Sequence, residues 1–267
     1  RYSYDIELEK YYTNAFGQII GWERESMDSM TPKPLTMAQA SVALVGDNAI
    51  FGFVSPIRGG RYRFSIEQTQ GTASFTTVIA DWRRYFAPTK NLTVGLRTVH
   101  YGRYGLSPEE SSSDGFGMLR PLFLGYETFI RGYSYQSFSA SECSPPGSNS
   151  SGGTCMAFNR LQGQQLAVAN FEFRIPLIGV EQYGLINFQF VPVELVAFAD
   201  AGLAWDSDNP PVLEFSRSGY ERVPVFSTGV SARFNVLGFL IVEAYYAYPW
   251  QRPQKSWHWG FNIAPGW

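Results

Sequence analysis

One arginine in this 267-residue chain sits where a charge needs a partner. Arg131 lies in "FIRGYSY", between Ile130 and the pair Gly132-Tyr133, within a Gly- and Ser-rich stretch that reads as a surface loop. A guanidinium forks onto carboxylates through planar, charge-assisted bonds, each contributing about 1.5–3 kcal/mol and less in a wet setting. Gly132 permits a tight backbone turn and Tyr133 offers a ring to pack against a wall. The chemistry on offer is electrostatic fastening. The alternative is a solvated loop charge.

Bond-making chemistry has little to stand on. His100 and His258 are far apart, and no H-E-x-x-H, G-x-S-x-G, P-loop or zinc-ligand pattern occurs. Gly115-Phe116-Gly117 is too short for a dinucleotide fingerprint, and nothing marks a serine partner for His100. Asp5, Glu7, Glu9, Glu67 and Asp81 resemble a source of carboxylate pairs, but they read as charges balancing Arg61, Arg63, Arg83 and Arg174. No metal, cofactor or catalytic residue is assigned, and the chain reads as non-enzymatic. Cys143 and Cys155 flank "SPPGSNSSGGT"; a close pair in such a loop reads as a disulfide in an oxidising compartment, with two free thiols as the alternative.

The elements that position these residues are strands. Net charge is -2, which argues against a nucleic-acid binder. Aromatic residues make up 16%, a share that suits the interfacial girdles of a membrane barrel. The apolar run "VLGFLIVEAYYAYPW" is broken by Gly238 and Glu243 and is too short for a membrane helix. A chain meeting a bilayer without such helices must cross it as a closed set of strands. Alternation with period two runs through "RYRFSIEQ", "LAVANFEFRIPL" and "STGVSARFNV". In "VELVAFADAGLAW" it sets Val193, Leu195, Ala197, Ala199 and Ala201 on one face, and Glu194, Phe198, Asp200 and Gly202 on the other.

Strands are expected at 1–10, 14–26, 37–53, 61–69, 74–86, 91–104, 164–176, 187–204, 223–236, 238–249 and 256–264. "YYTN", "FAPTK" and Asn235 to Gly238 read as short turns, and 27–36, 105–163 and 205–222 as long loops. Short turns on one rim and long loops on the other is the outer-membrane pattern; the short "TQGT" connection departs from it. The fold class is all-β, a transmembrane antiparallel barrel. About eleven strands against an even total imply either a miscount or, as the abrupt start favours, further strands before Arg1. No signal peptide, internal repeat or domain linker is visible.

Taken together, "FIRGYSY", "NFEFRIP", "FADAG" and the closing "GFNIAPGW" resemble the C-terminal barrel of the BamA/TamA-like outer-membrane assembly factors, the bacterial surface antigen family. The resemblance covers nearly the whole chain, 1–267. It implies that Ile130, Arg131, Gly132 and Tyr133 form a motif in a large loop, 105–163, that folds back into the lumen. It implies that Arg131 pairs with Glu172 and Asp200, and that Phe261, Ile263 and Trp267 form the C-terminal strand signal. A cysteine pair in this loop occurs in some members. With the loop between strands eleven and twelve of a sixteen-stranded barrel, the chain would begin at strand six. Two features depart from the family: Pro265 is awkward in a ladder strand, and no periplasmic domain is present.

The implied function is insertion or translocation of polypeptides in the bacterial outer membrane, with client strands added at the seam between first and last strands. The implied partners are outer-membrane lipid, nascent outer-membrane or secreted polypeptides and periplasmic accessory subunits. A passive pore, or an anchor for a separate N-terminal periplasmic or surface domain, is the alternative.

Overall fold

The computed structural model describes residues 7–13, 19–26, 36–105, 119–143, 155–179, 184–188, 191–216, 221–252 and 256–263. The strands are β1 (Glu7–Thr13), β2 (Ile19–Ser26), β3 (Met37–Asp47), β4 (Ile50–Phe51), β5 (Pro56–Gly71), β6 (Phe75–Thr89), β7 (Leu92–Tyr104) and β8 (Leu122–Phe123). They continue as β9 (Gln162–Gly163), β10 (Gln165–Gly179), β11 (Ile186–Asn187), β12 (Val193–Trp205), β13 (Val225–Val236), β14 (Leu240–Pro249) and β15 (His258–Ile263). The wall is an antiparallel meander in the order β15-β14-β13-β12-β10-β7-β6-β5-β3. β1 and β2 form a hairpin of their own, and β3 and β15 are the two edges of the main path among the described residues.

Period-two alternation explains why these segments are strands and which way they face. Along β12, Glu194, Val196, Phe198 and Asp200 are buried while Leu195, Ala197 and Ala199 are exposed. Along β10, Asn170, Glu172 and Arg174 are buried while Phe173 and Ile175 are exposed. The polar face is thus the inside and the apolar face the outside, the inverse of a water-soluble protein. Val42 is 71% exposed, Val230 55% and Phe261 72%. Such a surface fits lipid.

The loop between β7 and β10 lies against the inner face. Leu124, Ile130, Tyr133 and Leu161 of the loop pack with Val99, Leu166, Val168, Ala204 and Val225 of the wall. The loop therefore supplies much of the apolar filling that the strands' inner faces lack.

Several strand boundaries differ from the sequence expectation for local reasons. The expected strand 37–53 stops at Asp47, where Asp47 Oδ1 accepts Ala49 N at 3.0 Å and Asn48 Oδ1 accepts Gly60 N at 2.7 Å. β4 then pairs separately with β5, which starts at Pro56 rather than at 61. "YYTN" is not a turn: Tyr11 and Tyr12 pair with Trp22 and Gly21. "FAPTK" lies mostly in β6, which runs to Thr89. The expected strand 187–204 begins at Val193, because Ile186 and Asn187 pair in parallel with the end of β10. That makes the β10–β12 connection long on the rim that otherwise carries short turns, a second departure from the simple rim pattern besides "TQGT". Residues 1–6, most of 27–36, the acidic 107–114, Pro265 and Trp267 lie outside the described residues.

Candidate functional site

The site is built where three strands of the β10-β12-β13-β14 stretch each place a carboxylate on the inner face. Asp200 comes from β12, Glu172 from β10 and Glu243 from β14; all three are buried. Register brings them together: Asn170 lies opposite Asp200, Glu172 opposite Phe198, and Arg233 of β13 opposite Glu243.

Arg131 enters from the loop and is 2% exposed. Its Nε and Nη2 donate to Asp200 Oδ2 and Oδ1 at 2.9 and 2.8 Å, a bidentate fork. The Arg131 backbone N–H donates to Asp200 Oδ2 at 3.2 Å. Nη1 lies 2.9 Å from Glu172 Oε1 and donates to Glu243 Oε1 at 3.0 Å. The guanidinium carbon stands 3.5 Å from the centroid of the Phe198 ring, and a desolvated contact of this kind contributes about 2 kcal/mol.

The neighbours of Arg131 in the motif have separate tasks. Gly132 has φ +88, a conformation glycine adopts without penalty, and a Cβ there would stand 3.1 Å from Ala247 Cβ. Tyr133 is buried and its hydroxyl donates to Phe226 O at 3.0 Å. Ile130 presses on Gly202, where a Cβ would come within 2.2 Å of Ile130 Cδ1. The wall is glycine there because the loop occupies the space.

Around this fork the charges continue. Arg233 donates to both oxygens of Glu172, at 2.7 and 2.9 Å, and lies 3.2 Å from Glu243. Arg174 Nε donates to Glu172 Oε2 at 2.8 Å. Ser231 donates to Glu243 at 2.6 Å, and Asn170 bridges Asp200 Oδ1 and Phe129 O at 2.9 and 2.7 Å. At the far end Ser55 Oγ lies 2.8 Å from both oxygens of Glu194, and Arg174 Nη1 donates to Ser55 Oγ at 3.2 Å. Arg131, Arg174 and Arg233 thus face Glu172, Glu194, Asp200 and Glu243 in one connected network. Charges so deeply buried persist only when paired in this way.

A second fastening holds the loop from the other side. Arg252, fully buried, donates to Glu142 Oε2 and Oε1 at 2.9 and 2.8 Å, to Gly132 O at 3.0 Å and to Ser137 Oγ at 2.8 Å. Burial, the largest influence on the Glu142 carboxyl, pushes its pKa up; the Arg252 bonds and Ser139 outweigh it and hold the carboxyl below its ordinary value. Next to Glu142, Cys143 is disulfide-bonded to Cys155.

Sequence reasoning named Glu172 and Asp200 and missed Glu243, Arg233, Arg252 and Glu142. Glu243 carries the same signal as Asp200, a lone acid on the inward phase of an apolar strand, but it reads first as an interruption of a hydrophobic run. Arg252 lies in an irregular segment and Glu142 in a one-turn helix, Ala140–Cys143, both too short for periodicity to carry information. The proposed balancing of acids is partly redistributed: Arg61 pairs with Asp47 at 2.9 Å, Arg83 and Arg97 with Asp81, Arg174 with Glu172, and Glu9 with Arg24. Phe261 and Ile263 lie in β15 and are exposed. His100 is bonded to Leu166 O and the Tyr104 hydroxyl and stacks on Trp205, with no serine bonded to it among the described residues.

The family model of the Omp85 superfamily domain matches residues 9–266. Among solved structures the chain is similar to BamA from Haemophilus ducreyi lacking POTRA domains 1-3, at 15% sequence identity and a TM-score of 0.47. That similarity covers 96% of this chain and 44% of the other, so the chain spans less than half of its length. No curated protein matches the chain in sequence.

Proposed function

The chain belongs to the Omp85 superfamily, and from that premise we propose that it is the barrel portion of an outer-membrane machine that inserts or translocates polypeptides. It is an antiparallel β-barrel protein of the bacterial outer membrane. The large loop acts as a plug seated in the lumen, held by the pairing of Arg131 with Asp200, Glu172 and Glu243. The observation that carries this reading is the depth of that pairing: Arg131 is 2% exposed and takes carboxylates from β10, β12 and β14. A charge so placed fixes where a loop sits; it has no free lone pair or proton with which to act on a substrate.

In this reading the loop and wall are one rigid unit and the work happens at the seam. β15 ends the main path among the described residues, with Phe261 and Ile263 outward; in this reading it stands at the seam, where a client strand adds by main-chain pairing. Clients are nascent outer-membrane or secreted polypeptides, and periplasmic accessory subunits deliver them. The protein acts without catalysis or cofactor.

The test is depletion of the full-length protein in its host, with complementation by wild type or by Arg131→Ala. The expected result is loss of folded, heat-modifiable outer-membrane proteins or of one secreted partner, restored by wild type and poorly by the variant. An unchanged outer-membrane and secreted protein profile on depletion would overturn it in favour of a pore or anchor.

A further inference from the structure

On β5, β6 and β7, the stretch of wall that continues from β10, the charges are arranged differently. Arg61 of β5 stands directly opposite Arg83 of β6, and Arg83 directly opposite Arg97 of β7. Like charges facing each other across neighbouring strands destabilise a sheet, so a row of three needs compensation. Asp81 receives Arg83 at 2.7 Å and Arg97 at 3.0 Å, and Asp47 receives Arg61 at 2.9 Å. Arg63 lies on the same inward phase, opposite Asp81 across the β5–β6 pair. It has no hydrogen-bond or ion-pair partner among the described residues. Three guanidiniums therefore share two carboxylates, and a fourth, Arg63, has none.

The surplus lines an open space. A cavity of about 480 Å³ is bounded by Asp47, Arg61, Arg63, Asp81 and Arg83, with Val45 and Ile79 beside them. That volume lies within the range of small-ligand sites. The β10–β14 stretch has the opposite balance, with three guanidiniums against four carboxylates in its network, all buried. An anion in the lumen is drawn to the β5–β7 side and turned away from the β10–β14 side.

We propose that the Arg61–Arg63–Arg83 face is a binding site for an oxyanion bearing two or more phosphate groups. Guanidinium forks match phosphate oxygens in geometry as well as charge. Arg63 is free to close on the ligand, while Arg61 and Arg83 are held in place by Asp47 and Asp81. The anion takes the share of negative charge that the two aspartates do not supply. This site is independent of the polypeptide-handling role.

Calorimetric titration of the full-length protein in zwitterionic nanodiscs with tripolyphosphate tests it. The expected result is saturable binding that weakens with ionic strength. It should weaken about tenfold in Arg63→Gln, the loss of one charged contact, and stay unchanged in Arg84→Gln, whose side chain points outward beside Phe86. Arg63 has no partner to lose, so its variant should retain heat-modifiable folding. Repeating the titration in nanodiscs with anionic phospholipid identifies the source: competition assigns the site to a lipid headgroup, and unchanged affinity to a soluble anion. No saturable binding, or equal affinity in Arg63→Gln, would overturn the proposal.

Discussion

Two walls of one lumen use arginine in opposite ways. From β10 to β14 the guanidiniums of Arg131, Arg174 and Arg233 are buried, and their carboxylates are shared several ways. On β5, β6 and β7 they stand in a cross-strand row short of acids, and those of β5 and β6 line an open cavity. The first arrangement fixes geometry, because a desolvated charge tolerates only the position where it is satisfied. The second leaves charge to spare, which is what a site for a mobile anion needs. The same side chain is a fastener or a receptor according to burial and the local count of carboxylates.

The contrast is most exposed to Arg131→Ala. That change leaves Asp200, Glu172 and Glu243 buried with one cation fewer, a loss of about 3–5 kcal/mol by analogy with broken buried pairs. Faster proteolysis within 105–163 and an earlier heat-modifiable transition should report it, and Arg131→Lys should restore little, since a point charge cannot fork. Parental behaviour in both assays would mean the fastening is dispensable. Gly202→Val comes next. Its Cβ would meet Ile130 Cδ1 at 2.2 Å, and overpacking of this kind costs about 1–3 kcal/mol. The loop should loosen while the ionic network stays chemically intact, which separates packing from charge in the same protease assay.

A smaller effect is expected from acid at the Glu142–Arg252 fastening. The Glu142 pKa is lowered in the folded protein, so its contribution is complete above the ordinary glutamate range near about 4.3. It is lost as pH falls through the lowered value. Loop proteolysis followed down a pH series should rise in wild type and flatten in Glu142→Gln; coincident profiles would exclude this carboxyl as the cause. Smallest of all is Arg63→Gln, whose effect on the unfolding midpoint should stay within about 0.5 kcal/mol even as anion binding falls.

The wall was legible in the sequence because one face meets lipid and the other meets charge, so the period-two signal is strong from "RYRFSIEQ" to "STGVSARFNV". Boundaries set by side-chain turns were not: Asp47 and Asn48 end β3 through hydrogen bonds that no hydropathy pattern encodes. At the site, Asp200 stood out as a lone acid on an apolar strand. Glu243 and Arg233 belong to the same cluster only through register, with Arg233 opposite Glu243 and Glu194, and register is a property of pairs of strands. Ser55 reaches Glu194 across 139 residues of chain, a meeting that only the folded wall creates.

That dependence on register has a consequence for assembly. Because side chains alternate strictly, sliding β10 or β13 by a single residue would turn Arg174 or Arg233 outward into hydrocarbon. An arginine turned into lipid costs from about 0–1 kcal/mol near the interfaces to about 2–4 kcal/mol at the midplane, and the carboxylates left behind would be orphaned as well. The cluster therefore penalises a misaligned hairpin through the lipid itself, whatever else inspects it.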